Sequence, residues 1–297
     1  MTPLAVGLVG AGPWAQRFHA PMLAAGPQTG LSAVWARRPD AAAALAAAHG
    51  VQAAATLEEL FAGCQAVAFA VPPAVQAVLA PRAAGAGKHL LLEKPLALSV
   101  EDARTVARAV AQAGVVSHLV LPNRYLTRQR DFVAASRAFP TMAVRASLLS
   151  ATLADNGPFA TAWRRGEGAI ADLGPHLFDL LEQVAGPIRD VRGFGDPRRF
   201  VSLATRHDNG VVGTAELSLS LPSADGLARC RLYGSPGHLD LGVPTPDEAR
   251  AQFAAATAEL RADFAAHVRR GVAGPLDASY GLHLQELIDQ AQRSLIA

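Results

Sequence analysis

Three side chains in this sequence have the chemistry that proton transfer requires: Lys94, Asp172 and His176. Lys94 lies in residues 90–98, where an apolar run typical of a buried parallel strand stops at Glu93-Lys94-Pro95. Pro95 prevents the strand from simply continuing. We therefore expect Lys94 at the carboxyl end of a strand, where open α/β sheets bind their ligands.

The use of basic residues draws attention to Lys94. The chain has 27 lysines and arginines, and only Lys88 and Lys94 are lysines. A desolvated lysine can shift its pKa and take part in proton chemistry, whereas arginine keeps its proton in proteins. Lys88 is also retained, without an expected catalytic role. The rarity of lysine is therefore weak evidence that Lys94 is catalytic. The alternative for Lys94 is a solvated side chain just past a strand.

Asp172 and His176 are four residues apart, a spacing that places both on one face of a helix. A histidine oriented by a carboxylate is a candidate proton acceptor because its unperturbed pKa is close to neutral pH. Asp179 is a second candidate partner for the ring. Pro175 would clash inside a helix, so we expect the helix to begin near Pro175 or to be kinked there. The alternative is an ordinary amphipathic helix with His176 at its edge.

A glycine-rich turn follows the apolar residues 4–9 and reads Gly10-Ala11-Gly12-Pro13-Trp14-Ala15. This is the G-x-G-x-x-G/A pattern, in which Gly10 makes the tight turn and Gly12 lets the backbone approach a pyrophosphate. Ala15 is small enough for close helix packing, and the helix N-terminus offers free N–H groups to phosphates. The pattern predicts dinucleotide binding, although methyltransferases share it.

The end of the second predicted strand bears on the choice of cofactor. An acidic residue there would bind the ribose hydroxyls of NAD, but the sequence reads Ala36-Arg37-Arg38. Guanidinium groups suit a 2′-phosphate. The sequence therefore favours NADP over NAD, with NAD still possible. Alternatively, both arginines cap a helix or face solvent.

Apolar runs alternate with helical segments up to Pro122, and strands dominate thereafter. The first part predicts strands at residues 4–9, 31–36, 66–71, 89–93 and 115–121, with helices at 40–49, from 56, at 75–86 and at 99–113. The second part predicts strands at 142–150, 190–195, 200–206, 211–221 and 227–233, with helices at 168–184, 247–270 and 278–296.

This pattern predicts an α/β protein: a doubly wound parallel Rossmann sheet, then an α+β domain with an open, largely antiparallel sheet. We assign residues 1–122 to the dinucleotide-binding domain and residues 123–297 to a substrate-binding and oligomerisation domain. The last helix is a candidate to pack back on the first domain.

Composition excludes several classes of function. The net charge is +2 and the pI about 8.8, without a basic stripe, so we predict no nucleic-acid partner. No apolar run is long enough to span a bilayer, and residues 1–3 lack the charged start of a secretion signal. Cys64 and Cys230 give neither a disulfide framework nor a metal-ligand spacing. We therefore expect a cytoplasmic protein without a metal.

Three blocks read together resemble the Gfo/Idh/MocA family of nicotinamide-dependent oxidoreductases: GAGPWA from Gly10, GKHLLLEKPL at residues 87–96 and WRRGEGAIADLGPHLFDL at residues 163–180. The resemblance implies a Rossmann domain followed by an open-sheet domain, through which family members form homodimers or homotetramers. It also implies oxidation or reduction of a hydroxyl-bearing or carbonyl carbon in a sugar, inositol or related polyol.

By position, the resemblance makes Lys94 the residue that contacts the substrate hydroxyl and the nicotinamide, His176 the acid/base and Asp172 its acidic neighbour. It adds cofactor-binding positions at Val71, Pro72 and Glu93. Candidate substrate contacts are Arg124, Trp163, Arg164 and Asp179; interdomain hydrogen bonding or core packing is an equal alternative for these pocket candidates.

The chain also departs from the family pattern. Val71 stands where a threonine is usual, Gln76 stands where a histidine is frequent, and Glu167 interrupts a glycine-rich run. These departures keep open a catalytically silent nucleotide-binding sensor or partner subunit. A methyltransferase is a further alternative, but it has no use for Glu93-Lys94-Pro95.

Overall fold

A computed structural model of the chain describes residues 2–154, 157–222 and 224–295. Residue 296, where we predicted the last helix to end, lies outside the described residues. The chain forms two compact units. The first contains the residues up to Val120 and the segment Thr257–Leu282; the second contains Leu121–Ala256 and the residues from His283 onward.

The first unit is built on a six-stranded parallel sheet in the order β3-β2-β1-β4-β5-β6. Its strands are β1 Leu4–Val9, β2 Thr29–Trp35, β3 Gln52–Ala53, β4 Ala66–Phe69, β5 His89–Leu92 and β6 Ser117–Leu119. The central strands are almost entirely buried because they are rich in valine, leucine and alanine. This strand order is typical of dinucleotide-binding folds, whose ligands bind where the order reverses, between β1 and β4.

Helices connect these strands. They are a π-helical segment Ala15–His19 that continues into α1 Ala20–Ala24, then α2 Pro39–Ala48, α3 Leu57–Ala62, α4 Pro73–Gly85 and α5 Val100–Ala113. Two of these helices begin where the sequence predicts and are capped there: the Thr56 hydroxyl accepts from the Glu59 N–H (3.1 Å) and the Ser99 hydroxyl from the Asp102 N–H (3.1 Å). Local sequence thus determines where α3 and α5 begin.

The second unit contains a six-stranded sheet in the order β12-β11-β7-β10-β9-β8. Its strands are β7 Thr141–Ser150, β8 Ile188–Asp196, β9 Phe200–His207, β10 Val212–Ser218, β11 Asp225–Gly234 and β12 Gly237–Asp240. Every neighbouring pair is antiparallel except β7 with β10. Buried and exposed residues alternate along β9, so one face of the sheet is open. The predicted fold class is confirmed.

The remaining helices are α6 Thr127–Ser136, α7 Ala162–Ala185, α8 Pro246–Arg270 and α9 Ala278–Ser294, and a short 3₁₀ segment spans Pro122–Tyr125. The backbone of α7 is broken at Gly168, where φ is 74°. A Cβ at Gly168 would lie 2.4 Å from the Pro197 carbonyl oxygen, so a side chain is excluded. The prediction that the helix begins or is kinked near Pro175 is wrong. The non-helical backbone lies at Gly168, and Pro175 lies inside the helix.

The sequence predicts a single domain boundary, after residue 122. In the structure, the segment Thr257–Leu282 also belongs to the first unit. Leu260 and Phe264 in this segment are fully buried. Arg261 donates from Nη1 to the Met22 carbonyl (3.1 Å), and the Leu276 carbonyl accepts from the Leu119 N–H (2.6 Å). The apolar face of α8 and the strand edge at β6 therefore bring this distant segment to the parallel sheet.

Among the strands and α-helices, β3, β12 and α6 were not predicted from the sequence. β3 has two residues, both exposed, and β12 is short and mostly exposed, so neither produces an apolar run. The sequence of α6 is polar and scarcely amphipathic, which hides its helical period. No helix within the described residues combines the length and apolar character that crossing a membrane requires.

Candidate functional site

The glycine-rich turn lies between β1 and the first helix. Gly10 has φ 121°, and a Cβ there would lie 2.3 Å from the Ala70 carbonyl oxygen, at the end of neighbouring β4. At Gly12, a Cβ would meet no atom within 4 Å, so the space above its backbone is open. Ala15 is fully buried. A tight turn, an open approach and a small packing residue together suit a dinucleotide pyrophosphate.

The first helix contains a π-helical segment. The Gln16 N–H donates to the Gly12 carbonyl (3.0 Å) in the ordinary α-helical register, and residues 15–19 are then wound as a π-helix, with the Ala20 N–H donating to the Ala15 carbonyl. Single π-helical turns occur often at functional sites. The Trp14 and Phe18 rings stack at 4.7 Å with an angle of 8° between their planes. The turn that would hold a cofactor is thus backed by an aromatic pair.

The carboxylate of Glu93 is tied to this first helix. Its Oε1 accepts from Trp14 Nε1 (2.6 Å) and from His19 Nε2 (2.7 Å). His19 is fully buried and Glu93 is 8% exposed. Because these bonds are buried and made to a carboxylate, they are stronger than an exposed neutral pair. The structure therefore joins the segment after β5 to the segment after β1.

Lys94 is half-buried and follows directly after this anchor. Its backbone N–H donates to Glu93 Oε2 (3.2 Å), and its peptide bond to Pro95 is cis. The Gln76 side chain, on α4, donates from Nε2 to the Glu93 carbonyl (2.8 Å) and to the Leu96 carbonyl (3.0 Å). Its Oε1 accepts from the Glu93 N–H (2.7 Å). The backbone around Lys94 is thus fixed from α4.

The other predicted cofactor residues lie at the carboxyl ends of β2 and β4. Arg37 and Arg38 follow β2 and are exposed, and Arg38 occupies the N-cap position of α2 without a side-chain capping bond. β4 ends at Phe69, two residues before the predicted end. Val71, half-buried, and Pro72, exposed, therefore lie in the β4–α4 turn. All four residues lie at the sheet edge where this fold binds ligands.

In the second unit, Asp172 and His176 lie one turn apart on α7, after the break at Gly168. Asp172 is 4% exposed, and His176 is half-buried. Arg164 donates from Nε to Asp172 Oδ2 (2.8 Å). The carboxylate predicted to orient the histidine is therefore also paired with an arginine.

Asp179 has a comparable arrangement. Arg124 donates to its Oδ1 from Nε (2.7 Å) and Nη2 (2.6 Å), and Gln183 Nε2 donates to its Oδ2 (2.9 Å). The Asp179 side chain is 1% exposed, whereas that of Arg124 is 26% exposed. Asp179 is thus placed to hold Arg124.

Trp163 and Arg164 form a third local pair. The Arg164 guanidinium carbon lies 4.7 Å from the centre of the Trp163 ring, within cation–π range. Nη1 of Arg164 also donates to the Phe159 carbonyl (3.2 Å). Both side chains are half-buried near the beginning of α7. Arg164 is therefore fixed by a ring, a carbonyl and the Asp172 carboxylate.

Two residues of the first unit's network were missed as site residues. His19 lies four residues after Ala15, and a histidine one helical turn beyond the glycine-rich turn was the available signal. Gln76 was noted only as a departure. Its partners are 17 to 20 residues away in sequence, so no local pattern reveals them. Among the described residues, no group of His, Cys, Asp and Glu side chains is arranged to hold a metal ion.

Comparison with known proteins covers both units. A family model described as "Oxidoreductase family, NAD-binding Rossmann fold" (GFO_IDH_MocA) matches residues 4–120. The model of the GFO/IDH/MocA C-terminal domain matches residues 140–240. The two matches fall on the two sheets described above.

Two curated relatives give the extent of the similarity. A dTDP-3,4-didehydro-2,6-dideoxy-alpha-D-glucose 3-reductase of Streptomyces violaceoruber is 30% identical over 251 residues, which is 80% of this chain and 72% of that protein. A levoglucosan dehydrogenase of Pseudarthrobacter phenanthrenivorans is 24% identical over 233 residues, which is 66% of this chain and 60% of that protein. The chain therefore spans less than two thirds of the levoglucosan dehydrogenase.

Solved structures share the fold. The crystal structure of GenD2 from gentamicin A biosynthesis, in complex with NAD, superposes with a TM-score of 0.86 at 23% sequence identity. The match covers 100% of this chain and 95% of GenD2. At this identity the likeness establishes a common fold.

Proposed function

The chain belongs to the Gfo/Idh/MocA family of oxidoreductases, and on that premise we propose that it transfers a hydride between a nicotinamide cofactor and a carbon of a sugar, inositol or related polyol. The reacting carbon carries a hydroxyl in one direction and a carbonyl in the other. The two curated relatives, a reductase of a nucleotide-linked sugar and a dehydrogenase of levoglucosan, support this substrate class.

Three residues divide the proton chemistry in this proposal. When bound, the nicotinamide accepts or supplies the hydride. Lys94 holds the substrate oxygen and stabilises the negative charge that develops there as its proton leaves. His176 takes that proton in the oxidising direction and returns it in the reducing direction. Asp172, which lies one helical turn from His176 and accepts from Arg164, is the acidic neighbour of the histidine.

The observation that carries the proposal is the anchoring of Glu93-Lys94. The segment lies at the carboxyl end of β5, and its carboxylate is bound by Trp14 and His19 from the helix that follows the glycine-rich turn. A solvated lysine past a strand needs no such anchors. Buried hydrogen bonds on both the backbone and the carboxylate support a residue whose position matters for chemistry.

We propose NADP as the preferred cofactor. Arg37 and Arg38 offer two exposed guanidiniums after β2, at the position where a carboxylate would select NAD. Each charge-assisted bond to a 2′-phosphate contributes about 1.5–3 kcal/mol. Replacing both arginines with alanine should therefore raise the Kd of NADPH by at least about 10-fold and leave that of NADH nearly unchanged. Equal losses for both cofactors would contradict the NADP preference.

The substrate contacts in this proposal are Arg124, Trp163 and Arg164, with Asp179 holding Arg124. Arginines held by carboxylates suit hydroxyl-rich ligands because their remaining N–H groups are presented in a fixed plane. A tryptophan face suits the apolar face of a sugar ring. Substitution of Trp163 by leucine should raise the substrate KM more than it lowers kcat.

A cofactor-by-substrate screen tests the proposal. NAD, NADP and S-adenosylmethionine are each combined with panels of polyols, sugars and keto-sugars, and the thermal midpoint and the nicotinamide absorbance are recorded. A ligand that binds only the folded state raises the midpoint. We expect stabilisation by a nicotinamide cofactor and hydride transfer with at least one panel member. Tight cofactor binding without hydride transfer would favour a catalytically silent sensor. Stabilisation by S-adenosylmethionine alone would favour a methyltransferase.

The open face of the second sheet carries exposed apolar side chains: Phe194, Val212 and Tyr233 are 80%, 54% and 39% exposed. We propose that the chain forms a homodimer or homotetramer through this face. We also propose a cytoplasmic location, in keeping with the two free cysteines, Cys64 and Cys230. Sedimentation of the wild type and of Phe194→Glu checks the assembly: the variant should dissociate. An unchanged assembly would place the interface elsewhere.

A further inference from the structure

Gln76 uses its whole amide on one short segment of backbone. It lies in the first turn of α4 and is fully buried. Nε2 donates to the Glu93 carbonyl (2.8 Å) and the Leu96 carbonyl (3.0 Å), while Oε1 accepts from the Glu93 N–H (2.7 Å). Both amide hydrogens and the amide oxygen are therefore bonded to residues that flank Lys94.

The placement of these bonds distinguishes Gln76 from an ordinary core residue. Glu93 precedes Lys94 and Leu96 follows it by two residues, so one side chain spans the lysine. The Glu93 side chain is held in turn by Trp14 and His19, which bond to its Oε1. The segment that carries Lys94 is thus bonded through its backbone to α4 and through the Glu93 carboxylate to the first helix.

Methionine, glutamate and histidine cannot make the same set of bonds. Methionine has a similar length but no donor, glutamate has no donor when ionised, and neutral histidine has one donor and one acceptor. Each replacement leaves at least one buried backbone group without a hydrogen-bond partner, which favours movement of the segment. The identity of residue 76 is therefore matched to the loop that carries Lys94.

We propose that Gln76 is a positioning residue for Lys94: its amide fixes the backbone on both sides of the lysine and so places the ammonium group for reaction. This inference rests on the proposed hydride-transfer function for its consequence in turnover. The geometric part does not depend on it, because the position of Lys94 can be followed without a substrate.

The test uses the fact that the chain has only two lysines. Reductive methylation with ¹³C-formaldehyde gives each lysine and the amino terminus an NMR signal. Lys88→Arg identifies the signal of Lys88, and Lys94→Arg identifies that of Lys94. Lys88 donates from Nζ to the Cys64 carbonyl (3.0 Å) and serves as an internal reference. The variants are Gln76→Met and Gln76→His. The control is Gln290→Met, since Gln290 also accepts a backbone hydrogen bond, from the Val191 N–H (2.7 Å).

In Gln76→Met we expect the Lys94 signal to shift or broaden while the Lys88 signal stays unchanged. With a substrate from the screen, kcat should fall by about 10- to 100-fold, because misplacing a reacting group by an ångström has an effect of this size. Cofactor Kd and substrate KM should change by less than about threefold. Gln76→His should be intermediate, and Gln290→Met should match the wild type in the Lys94 signal and in kcat.

Two outcomes separate the inference from the function on which it rests. If no substrate is turned over by the wild type but the Lys94 signal still responds to Gln76→Met, the proposed function fails and the positioning role stands. If the Lys94 signal and kcat are unchanged in folded Gln76→Met, or if Gln290→Met produces the same changes, Gln76 is only a structural residue and the inference is overturned.

Discussion

Substitution of Gly10 and Gly12 by alanine separates folding from cofactor binding, because the two glycines have opposite surroundings. At Gly10 the backbone φ is 121°, and an added Cβ would lie 2.3 Å from the Ala70 carbonyl oxygen. The unfavourable conformation and the clash together should lower the free energy of unfolding by on the order of 4 kcal/mol. At Gly12 nothing lies within 4 Å of the added Cβ, so the fold should lose less than about 0.5 kcal/mol.

Gly12→Ala, which should keep its stability, should nevertheless lose affinity for the cofactor. In Gly12→Ala the methyl group occupies the open space through which a pyrophosphate would approach the backbone, so bonds worth about 3 kcal/mol are lost and Kd rises roughly 100-fold. Urea unfolding followed by circular dichroism measures stability, and quenching of tryptophan fluorescence measures cofactor binding. The reasoning is refuted if Gly12→Ala binds NADP and NAD as the wild type does, or if Gly10→Ala unfolds at the wild-type urea concentration.

Three further predictions concern charged and titratable groups. Burial lowers the pKa of His118 from 6.5 to about 4, so between these values the unfolded chain binds a proton that the folded chain does not. The free energy of unfolding should therefore decrease by about 3 kcal/mol as pH falls through this range, and His118→Asn should show a smaller decrease in urea titrations. The hydrogen bond to Glu182 raises the pKa of His283 in the folded chain above the ordinary 6.5. The interaction therefore stabilises the fold fully below pH 6.5, and this stabilisation is lost as pH rises through the pKa of the folded state. The stability gap between wild type and His283→Gln should accordingly narrow with rising pH, and a constant gap would contradict this. Arg124→Leu leaves the carboxylate of Asp179, 1% exposed, without its arginine, so unfolding should need about 3 kcal/mol less free energy; Arg124→Lys should recover part of this.

The central strands of the parallel sheet were predicted because they are buried on both faces and bounded by turn residues. The starts of α3 and α5 were predicted because their caps, Thr56 and Ser99, bond only to residues of the following turn. The break in α7 was expected at Pro175 but lies at Gly168, where the close approach of Pro197 requires a glycine. A contact between residues 29 positions apart leaves no trace in a local pattern.

In the candidate site, the placement of two side chains on one helix could be predicted from the sequence, whereas the bonds around them could not. Spacing placed Asp172 and His176 on one helix face, as the structure has them. Spacing did not reveal that Arg164 is bonded to Asp172, or that Gln76 holds the backbone around Lys94. These bonds are made by long, flexible side chains to partners in other turns or elements, so they depend on the completed fold.

Single-turnover hydride transfer by Lys94→Met, measured beside the wild type and Lys94→Arg, tests the central claim most directly. Methionine removes the cation and keeps the approximate length of the side chain, whereas arginine keeps the charge in a different shape. By that claim, we expect Lys94→Met to lose hydride transfer by about 100- to 10,000-fold while its cofactor Kd changes by less than about threefold, with Lys94→Arg in between. A folded Lys94→Met that transfers hydride at the wild-type rate would contradict it.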